Sequence, residues 1–307
     1  MKKIIVAGSL NMDLVFSVNR LPEKGETTKG QGFLMNAGGK GANQATCCSK
    51  LGCQVYMIGS VGSDVFGQNL IDTLEKSGVD THFVNKVNNI STGIAGIIVI
   101  DGDNRIILEP AANDSVDCSQ IVYALEEIAE PGDILLTQFE IPYQAVLLSM
   151  QKAKSLNMIT ILNPAPAYIF DEIFFKYIDI ITPNEIEAEM ITGFKRTDKN
   201  FNKKVVEFFL QKGVKEVILT LGQDGAVYGK KGIFLTFPVW DVDVVDTTAA
   251  GDTFVGTIAS ELAKDTPMID AISKATAAAA ITVSRHGAQA AIPKESEILA
   301  FMKKERL

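Results

Sequence analysis

Four short apolar runs, at residues 134–137, 159–162, 178–181 and 216–220, constrain this chain more than any other feature, because helical stretches separate them. A run of four or five residues with little polar alternation suits a strand buried on both faces. Strands separated by helices need crossovers, which are right-handed and lay helices over both faces of a parallel sheet. Residues 3–8 open the chain with the same kind of run, and residues 55–59 repeat it between helical spacings at 41–51 and 67–77. The expected class is α/β, three layers (α/β/α) around a mostly parallel central sheet.

Two patches break that rhythm. Residues 14–35 fall into short alternating pieces separated by Pro22, Gly25, Gly30 and Gly32, which reads as a small antiparallel sheet. Residues 92–100 and 105–109 flank Asp101-Gly102-Asp103-Asn104, a turn rich in residues that tolerate positive φ, and read as a second hairpin. After the strand at 216–220 the turn Gly222-Gln223-Asp224-Gly225 leads into strands at 226–228 and 233–237. Helices at 251–263, 267–284 and 294–303 close the chain. With no repeat, low-complexity segment or linker, one domain over 1–307 is expected, carrying a small antiparallel β lid from about 14–37 and 91–110.

The net charge of −8 argues against a nucleic-acid or anionic-membrane surface, and no stretch approaches the roughly 20 apolar residues of a membrane helix. A small molecule is the expected partner. Cys47, Cys48, Cys53 and Cys118 form no C-x-x-C pair, and His82 and His286 stand in no zinc-ligand spacing. Reduced thiols and the polar Ser9, Asn11 and Asp13, which interrupt the first apolar run too early for a signal peptide, lead us to expect a cytoplasmic protein.

Chemistry concentrates at the expected carboxyl ends of the strands, where open α/β sheets bind ligands. In VVDTTAAGDTF, residues 244–254, small residues feed a helix whose first N–H groups lack partners, a ready anion site, with Asp252 beside it. Asp252 is either a helix-start acid or a base for a hydroxyl attacking phosphorus. Asn11 and Asp13 could hold vicinal hydroxyls or form a turn. NAGGKGANQA, residues 36–45, brings backbone close to a ligand and offers Lys40 and Asn43, but Gln44 stands at the third glycine position of a dinucleotide fingerprint. Asn184 and Glu187, three apart, are an N-cap with its acid or a face toward hydrated magnesium. Asn163-Pro164-Ala165-Pro166, the loop from Thr220 to Gly225, and Glu140 complete the set. No Walker loop and no G-x-S-x-G occurs.

Together, GGKGANQA at 38–45, DTTAAGDTF at 246–254, NPAPA, TPNEIEAE, TLGQDG and RHGAQ at 285–289 resemble the ribokinase family of carbohydrate kinases from end to end. The resemblance implies a ribokinase-like fold and transfer of the ATP γ-phosphoryl group to the 5-hydroxyl of D-ribose. Asp252 would be the base, and the amides of Ala249, Ala250 and Gly251 the anion hole. Asn11, Asp13, Gly39, Lys40, Gly41, Asn43, Glu140 and Asp252 would hold the sugar. Asn184, Thr220, Leu221, Gly222, Gln223, Asp224, Gly225, Gly251 and Thr276 would hold the nucleotide, with Glu187 placing Mg2+ indirectly. A monovalent cation, K+, would sit by Asp246, Thr248, Thr282, Arg285, Gly287 and Ala291, where Ala291 replaces the family's common serine and Thr276 its Asn or His. The resemblance also implies a homodimer through the β lid. Deoxyribose, another sugar or a nucleoside as acceptor stays open, as does a sugar-binding sensor without catalysis.

Overall fold

The computed structural model describes residues 1–100 and 103–304. Ile4–Ala7 is strand β1, and its side chains show why the class was readable. Ile4 and Val6 join one buried cluster while Ile5 and Ala7 join another, so alternate residues point to opposite faces and both faces are dry. Burying side chains of this size contributes about 1.5–3 kcal/mol each.

In chain order the other strands are β2 (Asn11–Ser17), β3 (Gly32–Gly38), β4 (Val55–Gly62), β5 (Asp80–Val87), β6 (Gly93–Ile100), β7 (Asp103–Glu109), β8 (Ile134–Thr137), β9 (Ile159–Leu162), β10 (Ile180–Ile181), β11 (Glu216–Thr220), β12 (Ala226–Lys230) and β13 (Ile233–Phe237). The helices are α1 (Lys40–Lys50), α2 (Val65–Lys76), α3 (Cys118–Ile128), α4 (Tyr143–Ser155), α5 (Glu185–Thr192), α6 (Phe201–Gln211), α7 (Ala250–Ala263), α8 (Met268–Val283) and α9 (Glu295–Lys304).

The large sheet runs β13-β12-β11-β10-β9-β8-β1-β4-β5. It is parallel from β11 to β5, with β12 and β13 added antiparallel. Residues of α1, α2, α7 and α8 cover one face with Ile4 and Val6, and residues of α3, α4, α5 and α6 cover the other with Ile5 and Ala7. The three expected layers are present.

The small sheet runs β3-β2-β6-β7. Its two hairpins are antiparallel, as expected, but β2 and β6 join them in parallel, Asn11 opposite Gly93. The expected turn at Asp101-Gly102-Asp103-Asn104 falls on 101 and 102, outside the described residues. Two local expectations change. Of the run 178–181 only Ile180–Ile181 pairs, because a 3-10 helix at Glu172–Tyr177 runs into it and the Ile178 amide closes its last turn on Phe175 O. The large sheet also gains β5, where exposed Asp80, His82 and Asn85 flank buried Phe83 and Val84, a mixture that befits an edge strand.

Candidate active site

Helix α7 crosses α1 at a point with no room for a side chain, since a Cβ on Gly256 would lie 2.7 Å from Cys47 Cβ. One helical turn earlier on each partner stand Asp252 and the pair Asn43 and Gln44, and the close crossing brings them into contact. Asn43 Nδ2 donates to Asp252 Oδ2 at 2.9 Å, and Gln44 Nε2 donates to Oδ1 at 3.0 Å. Asp252 is buried in the first turn of α7. The N-cap, Ala249, takes a left-handed backbone (φ 60°) and has no side-chain oxygen with which to cap the helix. Gly251 faces open space, with nothing within 4 Å of where its Cβ would be. Free N–H groups in a helix's first turn attract an anion; here Gly251 is exposed at the helix start, while the Ala250 amide bonds back to Thr247 O at 3.3 Å.

A cleft of about 1160 Å³ opens above this helix start. All the residues expected to hold the nucleotide line it: Asn184, Thr220 to Gly225, Gly251 and Thr276, together with Ala249, Ala250, Lys40, Glu187 and Asp252. Trp240, which the sequence reading did not single out, lines it too and donates from Nε1 to Thr276 Oγ1 at 3.1 Å. Asn184 and Glu187 take up the N-cap arrangement. The two form a reciprocal capping box, Glu187 N bonding Asn184 Oδ1 and Asn184 N bonding Glu187 Oε2 at 2.8 Å each, and both border the cleft. Burial, with a push from Asp252, raises the Glu187 carboxyl to about 7, against the Asn184 amide and Lys40.

The expected sugar residues gather around Glu140 and Asp252. Glu140 Oε2 accepts from Ser9 Oγ at 2.5 Å, from the Lys40 amide at 3.3 Å and from Asn11 Nδ2 at 3.4 Å. Asn113, also unread in the sequence, orients Asn11 by donating to its Oδ1 at 2.7 Å and fixes itself on the Leu10 backbone. Asn11 and Asp13 are not the turn their sequence suggested; they lie on β2, within the small sheet. Gly39 and Gly41 are glycines for want of space, with added Cβ atoms falling 2.7 Å from Asn11 N and 2.6 Å from Ser9 N. Asn43 Oδ1 is buried without a partner, an acceptor aimed at nothing the chain supplies. No described hydrogen bond reaches the Asp13 side chain, and burial beside Glu140 and Asp252 raises its carboxyl to about 7. Lys40 is half-buried: burial works against its charge, but Asp252, Glu140, Glu187 and Asp13 hold its pKa above the ordinary lysine range.

The expected cation residues are brought together in part. Asp246 accepts from the amides of Thr248 (2.9 Å) and Gly287 (3.0 Å), and the Arg285 amide returns to Thr282 O at 3.1 Å. Arg285 turns its guanidinium to Glu297, and the Ala291 amide bonds back to Ala288 O. Among the described residues no three His, Cys, Asp or Glu side chains cluster as a metal site.

A buried carboxylate in the first turn of an uncapped helix, lining a nucleotide-sized cleft beside a cluster of buried polar side chains, fits a phosphotransferase acting on an alcohol. The pfkB family of carbohydrate kinases matches residues 1–295. Ribokinase of Haemophilus influenzae is 39% identical over 302 residues, 98% of each chain. Among solved structures, ribokinase of Thermotoga maritima superposes with a TM-score of 0.88 at 39% identity, over 99% of this chain and 100% of that one. Arabidopsis thaliana ribokinase, complexed with ribose and ATP, superposes with a TM-score of 0.88 at 30% identity, over 98% of this chain and 99% of that one. The chain belongs to the pfkB family of carbohydrate kinases.

Proposed function

We propose that this chain transfers the γ-phosphoryl group of ATP to the 5-hydroxyl of D-ribose, giving D-ribose 5-phosphate and ADP. The observation that carries this reading is the position of Asp252, which lines the cleft, is held by Asn43 and Gln44, and lies near enough to Asp13 to push its carboxyl up. Asp252 takes the proton of the attacking hydroxyl, and the amides of Ala249, Ala250 and Gly251 receive the charge that develops on the phosphoryl oxygens. Asn11, Asp13, Gly39, Lys40, Gly41, Asn43 and Glu140 hold the sugar. The unpartnered Asn43 Oδ1 and the unbonded Asp13 carboxylate are acceptors suited to its hydroxyls.

Glu187 fits Mg2+ held through water, since its carboxylate faces the cleft while Asn184 already engages it, and Mg2+ keeps several of its waters. When bound with ATP, the ion neutralises phosphate charge. The loop of Asp246 and Thr248 against Thr282, Arg285, Gly287 and Ala291 would hold K+ largely through carbonyls, with Asp246 supplying the one carboxylate. The small sheet, covering about 14–37 and 91–110, serves as lid to a single domain and as the face of a homodimer. In support, Phe33, Leu34, Met35, Ile106 and Ile107 are more than half exposed on it. No helix among the described residues is long and apolar enough to cross a membrane, and the four cysteines are unpaired, in keeping with a cytoplasmic enzyme. Release of ADP is to be measured with ribose, deoxyribose, fructose and adenosine as acceptors. Ribose should give the highest kcat/KM, and preference for any other acceptor rejects the assignment.

A further inference from the structure

Gln44 is fully buried and belongs to none of the ligand sets above, yet it touches Asp252. Its orientation is dictated from a distance. Asn163 donates from Nδ2 to the Thr182 carbonyl at 2.9 Å, which turns its Oδ1 toward Gln44. Gln44 Nε2 therefore faces two acceptors, Asn163 Oδ1 at 3.1 Å and Asp252 Oδ1 at 3.0 Å. Its Oε1 is left to accept from Gln138 Nε2 at 2.6 Å. Gln138 in turn lies flush on the backbone, where a Cβ on Gly8 would come 2.1 Å from its Oε1. Three side-chain amides thus form a chain with one self-consistent direction, ending in a donor on the carboxylate.

We infer that Gln44 is a positioning residue for Asp252: with Asn43 on the other oxygen, it fixes the plane of the carboxylate and favours its ionised form. The inference rests on the reading of Asp252 as the base. A donor on each oxygen leaves the remaining lone pairs for the incoming hydroxyl, and a hydrogen bond to the charged form of an acid stabilises that form. The charged groups facing Asp252 are Lys40 from α1, Asp13 from β2 and Glu187 from α5, with the Cys47 thiol behind it. Only Lys40 among them favours ionisation; Gln44 does so without adding charge.

The test is the pH dependence of single-turnover phosphoryl transfer from ATP to ribose, alongside KM for both substrates and thermal unfolding. Gln44→Met keeps the side chain's length and removes the donor. The acid limb of its rate profile should move to higher pH by about one unit, so that at a pH below the limb transfer is ~10-fold slower, while both KM values stay within about twofold. Gln44→Glu, close in shape and able to place a second acid against Asp252, should move the limb further in the same direction. A lower melting temperature with an unmoved limb in the folded variants would reduce Gln44 to a packing residue and overturn the inference. Should Gln44→Met fail to fold, the Gln44→Glu profile decides alone. Asp252→Asn separates the two claims. If it turns over like the parent, the base assignment itself is wrong; if it is inactive and the Gln44 variants keep the parental limb, only the role of Gln44 falls.

Discussion

A Cβ placed on Gly38 falls 2.2 Å from Oδ2 of Asp13, so the absence of a side chain on β3 is what lets the carboxylate on β2 lie where it does. Gly38→Ala should therefore displace Asp13 more than it disturbs the sheet, because the clash is with the end of a side chain. KM for the sugar is expected to rise ~10-fold or more, KM for ATP to change little, and the unfolding free energy to fall by no more than about 1 kcal/mol. A variant with parental sugar affinity would show that Asp13 does not need that space.

The raised pKa of Asp13 predicts a measurable pH dependence of stability. In the folded chain its carboxyl titrates at about 7, against about 4 for an unperturbed aspartate, so between those values the native state holds a proton that the unfolded chain has lost. Stability contributed by this group therefore falls as pH rises from about 4 to 7, by about 1.4 kcal/mol per pH unit at most, and Glu187 acts in the same sense. Asp13→Asn, which cannot ionise, should be more stable than the parent at pH 8, and the difference should shrink steadily toward pH 4. Denaturant titrations at several pH values will measure it; a constant difference would place the Asp13 carboxyl in an ordinary environment.

Gly251 offers the opposite trade. With no atom within 4 Å of its absent Cβ and a place in the first turn of α7, it can become alanine without strain, and the substitution should stabilise the fold by about 0.5–1 kcal/mol. The new methyl, however, stands over the helix start where a phosphate would sit. Turnover should drop by ~100-fold, comparable to loss of one anion-hole donor. A more stable variant of unchanged activity would move the phosphate elsewhere.

Leu34 and Ile107, 62% and 71% exposed on the small sheet, bear on assembly. Sedimentation of the parent should give a dimer at micromolar concentration. Leu34→Asp with Ile107→Asp should give a folded monomer, since neither side chain contributes to a buried core. A monomeric parent would refute the proposed dimer.

What could be read in advance follows a physical divide. β8, β9 and β11 were found to the residue because strands covered on both faces are largely apolar, whereas β5, an edge strand with only Phe83 and Val84 buried and polar residues exposed around them, left no such run. The small-residue approach to α7 and the acid in its first turn were legible because helix starts carry local signals. Gln44 was not, because its partners lie 94, 119 and 208 residues away, and a polar residue between small ones on a helix gives no sign of being buried on every side. Asn11 and Asp13 read as either a ligand site or a turn, since nothing nearby announces that their strand pairs with β6, some 80 residues on.

On the proposed function, that pairing would give the small sheet two duties. The strand at its centre carries Asn11 and Asp13, so the sheet proposed as a roof would also gauge the guest beneath it. A guest without matching hydroxyls would leave the roof's own polar groups unmet, and the penalty would fall on how well the guest is covered as much as on how tightly it is gripped.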